Sequence, residues 1–162
     1  MSIALEEAQI YDPYEAYMRQ VIDDHFKYTQ LNDKLVSLPD SLLDFVFSPE
    51  PAEFIKDRVA VSLNLNEKQT MEVAKIILEI VVTDLYLGNV VEALKERIGI
   101  DEQKAKTIAG LIVAELFAPI LDELKKMHIE KFAKNIPRQT QSVQNQSNQE
   151  YDDRVIDLKN SL

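Results

Sequence analysis

The sequence predicts an all-α fold: a compact bundle of six or seven helices with two repeated helix-corner-helix units, plus a flexible C-terminal tail. Three observations predict it. Glycine is scarce, at three of 162 residues, and no Asn-Gly, Asp-Gly or Gly-Gly hairpin signal occurs. Long stretches of Ala, Leu, Ile, Glu and Lys favour helix. The chain also repeats itself. Glu53-Phe54-Ile55-Lys56-Asp57-Arg58-Val59 is echoed 39 residues later by Glu92-Ala93-Leu94-Lys95-Glu96-Arg97-Ile98. Downstream, Leu65-Asn66-Glu67, Val73-Ala74 and Ile76-Ile77 match Ile100-Asp101-Glu102, Ile108-Ala109 and Leu111-Ile112 at an offset of 35. The lost residues amount to about one helical turn, so the second unit reads as the first with a shortened connecting helix.

Residues 1–11 form an N-terminal extension without a decisive period. The bundle domain is expected over 12–134. Asp12-Pro13-Tyr14-Glu15 places an N-cap Asp before a Pro at the first helical position, with Glu three residues after the cap. Tyr14, Tyr17, Met18, Val21, Ile22, His25, Phe26 and Thr29 then follow at three- and four-residue spacing, which predicts one helix running to about Leu35. Leu38-Pro39-Asp40 opens a short helix ending near Phe47, and Ser48-Pro49-Glu50 caps the next. Asn66, with Gln69 three residues on, caps a long helix over 67–87, with Gly88 as its left-handed terminator. Asn89 with Glu92 starts another short helix that Gly99 ends, and Asp101 caps the second long helix. Leu65 and Ile100 precede their caps, where a hydrophobic staple fixes the corner angle. Pro119 removes a backbone donor and crowds the carbonyl of Glu115, so a kink or break is expected there.

Beyond Pro137 the composition changes. Eleven of the fifteen residues over 135–149 are Gln, Asn, Ser or Thr, too few apolar groups to offset ordering entropy, and this stretch is expected to be a disordered linker. Over 150–162, Tyr151, Val155, Leu158 and Leu162 recur at spacings of four, three and four, one face of a short amphipathic helix. Such a segment is marginal alone in water and becomes helical only when docked.

Composition narrows the function classes. A formal net charge of -10 opposes nucleic-acid phosphates and anionic membrane surfaces. The longest apolar run, Ile108 to Leu121, contains Glu115 and reads as a core helix, not a membrane span. Glu6 and Glu7 stand where a secretory leader needs apolar residues, so a cytoplasmic location is expected. With no Cys, thiolate chemistry and disulfides are excluded. The three glycines make no phosphate-binding loop, and neither His25 nor His128 has the Glu three residues before it that a di-iron bundle uses.

The residues left to weigh are few. His25 lies on the apolar stripe and reads as a core-edge histidine; His128 reads as a solvated last-turn histidine facing the helix dipole. The caps Asp12, Asn89 and Asp101 are therefore expected to matter more than either histidine. Glu79, Asp84 and Glu115 interrupt apolar helices. They are either the one polar position per turn or carboxylates with perturbed proton affinity. The Lys56/Arg58 and Lys95/Arg97 pairs read as solvated faces.

The span from Leu38 to about Met127 resembles a helical domain met in small uncharacterised proteins of reduced-genome bacteria. The residues that carry the likeness are Leu38-Pro39, the Asn66 corner, Leu87-Gly88, the Gly99-Ile100-Asp101 corner with Ala109, and Pro119-Ile120. The resemblance implies the helical fold and no activity.

Together these features predict a non-enzymatic protein–protein interaction module or accessory subunit without cofactor or metal. It would use the tethered segment, with Tyr151, Val155, Leu158 and Leu162 touching an unidentified protein partner. The competing expectation is a helical-bundle enzyme or metal protein built on the interrupting acids.

Overall fold

The computed structural model describes residues 9–133, and all regular structure among the described residues is helical. The expected linker 135–149, the segment 150–162 with Tyr151, Val155, Leu158 and Leu162, and most of the extension 1–11 lie outside the described residues.

Helix α1 spans Pro13–Val21, with Asp12 accepting the Glu15 N–H at 2.9 Å. The single helix expected to reach Leu35 is two helices. Asp24 accepts the Lys27 N–H at 3.1 Å and caps α2, His25–Val36, after a turn at Ile22 and Asp23. A side-chain cap competes with continued helix, and here it splits the apolar stripe. Tyr14, Tyr17, Met18 and Val21 pack on the core, whereas Ile22, His25, Phe26 and Thr29 face solvent.

Helix α3 is Asp40–Phe47 and α4 is Glu50–Phe54, which continues as a π-helical stretch over Ile55–Ala60. Ser48 does not cap α4 as expected. Its hydroxyl donates back to the Phe45 carbonyl at 2.8 Å and closes α3 instead.

Helix α5, Glu67–Val81, is the hub. It packs against α1, α3, the π stretch and α6, the next helix (Val90–Ile98). Every residue from Val73 to Leu78 is buried, as are Ile80 and Val81. Its start is the expected capping box: Asn66 Oδ1 accepts the Gln69 N–H at 2.8 Å, and Gln69 Oε1 accepts the Asn66 N–H at 3.0 Å. Its end differs from expectation. Asp84 N–H donates to the Glu79 carbonyl at 2.8 Å and Thr83 N–H to the Ile80 carbonyl at 3.1 Å. That is a Schellman motif, with Thr83 in the left-handed position at φ 63°. The helix thus stops at Val81, and Gly88 is not its terminator. Gly88 lies in a 3-10 turn, Leu87–Asn89, where a Cβ would stand 2.6 Å from the Tyr86 ring.

Asn89 makes no side-chain cap for α6; the 3-10 turn already supplies its first carbonyls. Gly99, at φ 65°, ends α6 in the left-handed conformation. Helix α7 runs Glu102–Leu111 from an Asp101 cap at 2.7 Å to Lys104 N–H, then becomes π-helical over Ile112–Leu116. The chain breaks at Pro119, within a 3-10 turn at Ala118–Ile120, and resumes as α8, Leu121–Phe132.

The two corners share a cap conformation. Asn66 has φ -77° and ψ 171°, Asp101 φ -69° and ψ 165°. The π turns fall differently, within the short helix of the first unit and the long helix of the second.

Candidate functional site

The interrupting acids are where the structure concentrates charge. The densest group lies where α5 meets α6. Arg97 on α6 donates through Nε and Nη2 to Glu72 Oε2 at 3.1 and 3.0 Å, and through Nη1 to Glu79. Glu72 also pairs with Lys75, whose side chain is only 3% exposed. Burial by itself would raise the Glu72 carboxyl; hydrogen bonds from Lys75 and Arg97 outweigh it and hold the group below the ordinary range. Burial works against the charge of Arg97, and Glu79 and Glu72 more than compensate. Tyr17 of α1 lies in the same field, its hydroxyl pushed up by burial first and by Asp84 second.

Asp84 and Glu115 are likewise bound to cations. Lys34 on α2 reaches Asp84 at 2.6 Å. Arg58 grips Glu115 with a bidentate fork at 2.9 and 2.6 Å, and this pair joins the two π-helical stretches. Hydrogen bonding from Arg58 holds the Glu115 carboxyl low. The pairing is reciprocal: Arg58 of the first unit holds an acid of the second, and Arg97 of the second holds two acids of the first. Gln69, the capping-box residue of the first corner, adds a hydrogen bond to the Ile98 carbonyl at 3.0 Å.

Arg58 and Arg97 were thus not merely solvated. Glu72, Lys75 and Lys34 were missed by sequence reasoning. The signal for Lys75 was present, a lysine within Val73-Ala74-Lys75-Ile76-Ile77 with an acid three residues before it.

His128 corrects the sequence reading more sharply. It is 2% exposed, not solvated. Its Nδ1 accepts the Leu87 N–H at 3.1 Å, and Nε2 lies 2.7 Å from the Ile80 carbonyl, to which it must donate. The ring is therefore neutral and protonated on Nε2. Burial lowers its proton affinity, opposed by the Ile80 carbonyl. Tyr86 and Phe132 rings flank it at 6.1 and 5.3 Å. His25, expected at the core edge, is exposed on the first turn of α2.

Two surface features complete the picture. Ile22 and Phe26, 64% and 69% exposed, present large apolar side chains on either side of the Asp24 cap. Beside the end of α8, a cleft of about 280 Å³ is lined by Lys34, Leu38, Val82, Thr83, Met127 and Lys131. Among the described residues no helix is long and apolar enough to cross a membrane.

Comparison with known families, curated proteins and solved structures gives no significant match.

Proposed function

We propose that this protein is a non-enzymatic interaction module or accessory subunit, with the helical domain as a rigid platform. The C-terminal segment recognises an unidentified protein partner through Tyr151, Val155, Leu158 and Leu162. The observation that carries this reading is the pattern of that segment: one apolar face, set behind a polar stretch over 135–149. A polar sequence of this length would, as a random coil, span about 22 Å, enough for the segment to meet another molecule under this proposal.

Two features of the domain support the reading. Glu79, Asp84 and Glu115, the acids an enzyme or metal site would need, are each engaged by a cation of another element. Ile22 and Phe26 place apolar surface in water on a capped corner, where folding of the domain does not require it. The net charge of -10 makes a protein a better partner than nucleic acid, and a cytoplasmic setting belongs to the same proposal.

The test is co-purification from cells of the source organism, comparing the full chain with a 1–134 truncation. A protein retained by the full chain and lost with the truncation is expected. Equal recovery by both would overturn the tail as the recognition element.

A further inference from the structure

His128 occupies a position that favours the neutral ring over the charged one. The Leu87 N–H points at Nδ1 and the Ile80 carbonyl at Nε2, so the ring serves as acceptor on one side and donor on the other. A second ring proton, on Nδ1, would set N–H against N–H. Nothing comparable happens at Nε2, where the charged ring donates at least as well as the neutral one.

We propose that His128 is a proton-operated latch: protonation of Nδ1 detaches the connector 86–89 from α8, while Thr83, Asp84 and Leu85 keep the end of α5 closed. Three observations make the opening local. The bond that is lost belongs to Leu87, in the 3-10 turn between α5 and α6. The Schellman bonds of Thr83 and Asp84 close on α5 itself; Asp84 uses the Glu79 carbonyl, and Thr83 shares the Ile80 carbonyl with Nε2, whose bond the charged ring keeps. Leu121 and Leu124 anchor the first turns of α8 in the core, whereas His128 is the last buried residue of that helix. Beyond it, Ile129 is exposed, and Phe132 meets the Tyr86 ring at 5.2 Å between centroids. Gly88 contributes by leaving room for that ring.

The charged and titratable groups closest in sequence to the ring and its two backbone partners are Glu79 on α5, Asp84 and Tyr86 between α5 and α6, and Lys125, Glu130 and Lys131 on α8, with Lys34 of α2 paired to Asp84. Glu79 is held by Arg97 and Asp84 by Lys34. Tyr86 is in ring contact with the histidine. Burial is the main influence that disfavours the charged ring in the closed state.

The sign follows from linkage. The closed state binds the proton less readily than the open or unfolded state, whose histidine titrates near about 6.5. The latch is therefore fully effective above that pH. As pH falls below it, the opening constant rises roughly tenfold per pH unit until the closed-state ring itself takes the proton.

Amide hydrogen exchange on the full chain, corrected for intrinsic rates, tests this between about pH 7.5 and about pH 5. The Leu87 amide is expected to lose protection roughly tenfold per pH unit below about 6.5, with the Thr83 amide unchanged. His128→Gln, which keeps a neutral donor and acceptor on one side chain, should flatten that dependence. Imidazole nitrogen shifts of the unmodified protein at neutral pH should show the Nε2–H tautomer, a readout that requires no variant. A pH-independent Leu87 amide, equal loss at Thr83, or an Nδ1–H ring at neutral pH would each overturn the latch.

Discussion

Lys75 and Glu72 show how a polar residue is accommodated inside this bundle. A lysine whose side chain is 3% exposed stands directly against Glu72, and Glu72 in turn is shared with Arg97. The energetics of such a pair are asymmetric. Removing one partner strands the other, whereas replacing the buried charge by an apolar group of similar volume is often neutral or stabilising. Glu72→Ala is therefore expected to destabilise the domain by about 3 kcal/mol, and Lys75→Met to cost little or nothing. The double variant should recover most of the loss seen in Glu72→Ala. Denaturant melts of the three proteins check this, and a Lys75→Met variant as unstable as Glu72→Ala would show that the ammonium has a task beyond pairing. Arg58 and Glu115 are a contrasting case: both are well exposed, and removing either should leave the melting temperature nearly unchanged.

Among the elements, the caps decide where helices begin and end, and they were only partly legible. Asn66, Asp101 and Asp12 accept the expected backbone N–H groups. Asp101→Ala should cost about 1 kcal/mol and Asn89→Ala almost nothing, because Asn89 caps no helix. Thermal melts of the pair separate them, and equal losses would contradict the cap assignment. Asp24 was hidden because the apolar period runs straight through it; periodicity reports which residues are apolar, not whether the chain has turned. The stop of α5 was hidden for a different reason. Thr83 fills a left-handed position that sequence reasoning assigns to glycine, and its β-branch makes that conformation strained. Thr83→Asn, with a side chain that tolerates this region, should stabilise the protein by about 1 kcal/mol. A loss in the melt would mean that the threonine side chain contributes more packing than its backbone costs. His128 was misread because its partners are backbone groups of Leu87 and Ile80, which carry no side-chain signature.

For the whole molecule, composition and repeat predicted the helical class, and burial explains why the prediction was reachable: from Val73 to Val81 every residue of α5 except Glu79 is buried, which makes a long apolar stretch. The ion pairs between the two units were not reachable, since Arg58 with Glu115 and Arg97 with Glu72 and Glu79 meet only once both units are folded together. Those pairs also separate the two functional readings. If the acids serve as cross-links and the C-terminal segment recognises a partner, the two sets of residues have independent effects. Partner recovery from source cells measures this directly, using a Glu79→Gln, Asp84→Asn, Glu115→Gln triple variant beside one with alanine at Tyr151, Val155, Leu158 and Leu162. The first variant is expected to retain the partner bound by the unaltered protein and the second to lose it. Loss of the partner with the triple variant, when circular dichroism shows it folded, together with retention by the alanine variant, would place recognition on the acids of the domain and not on the C-terminal segment.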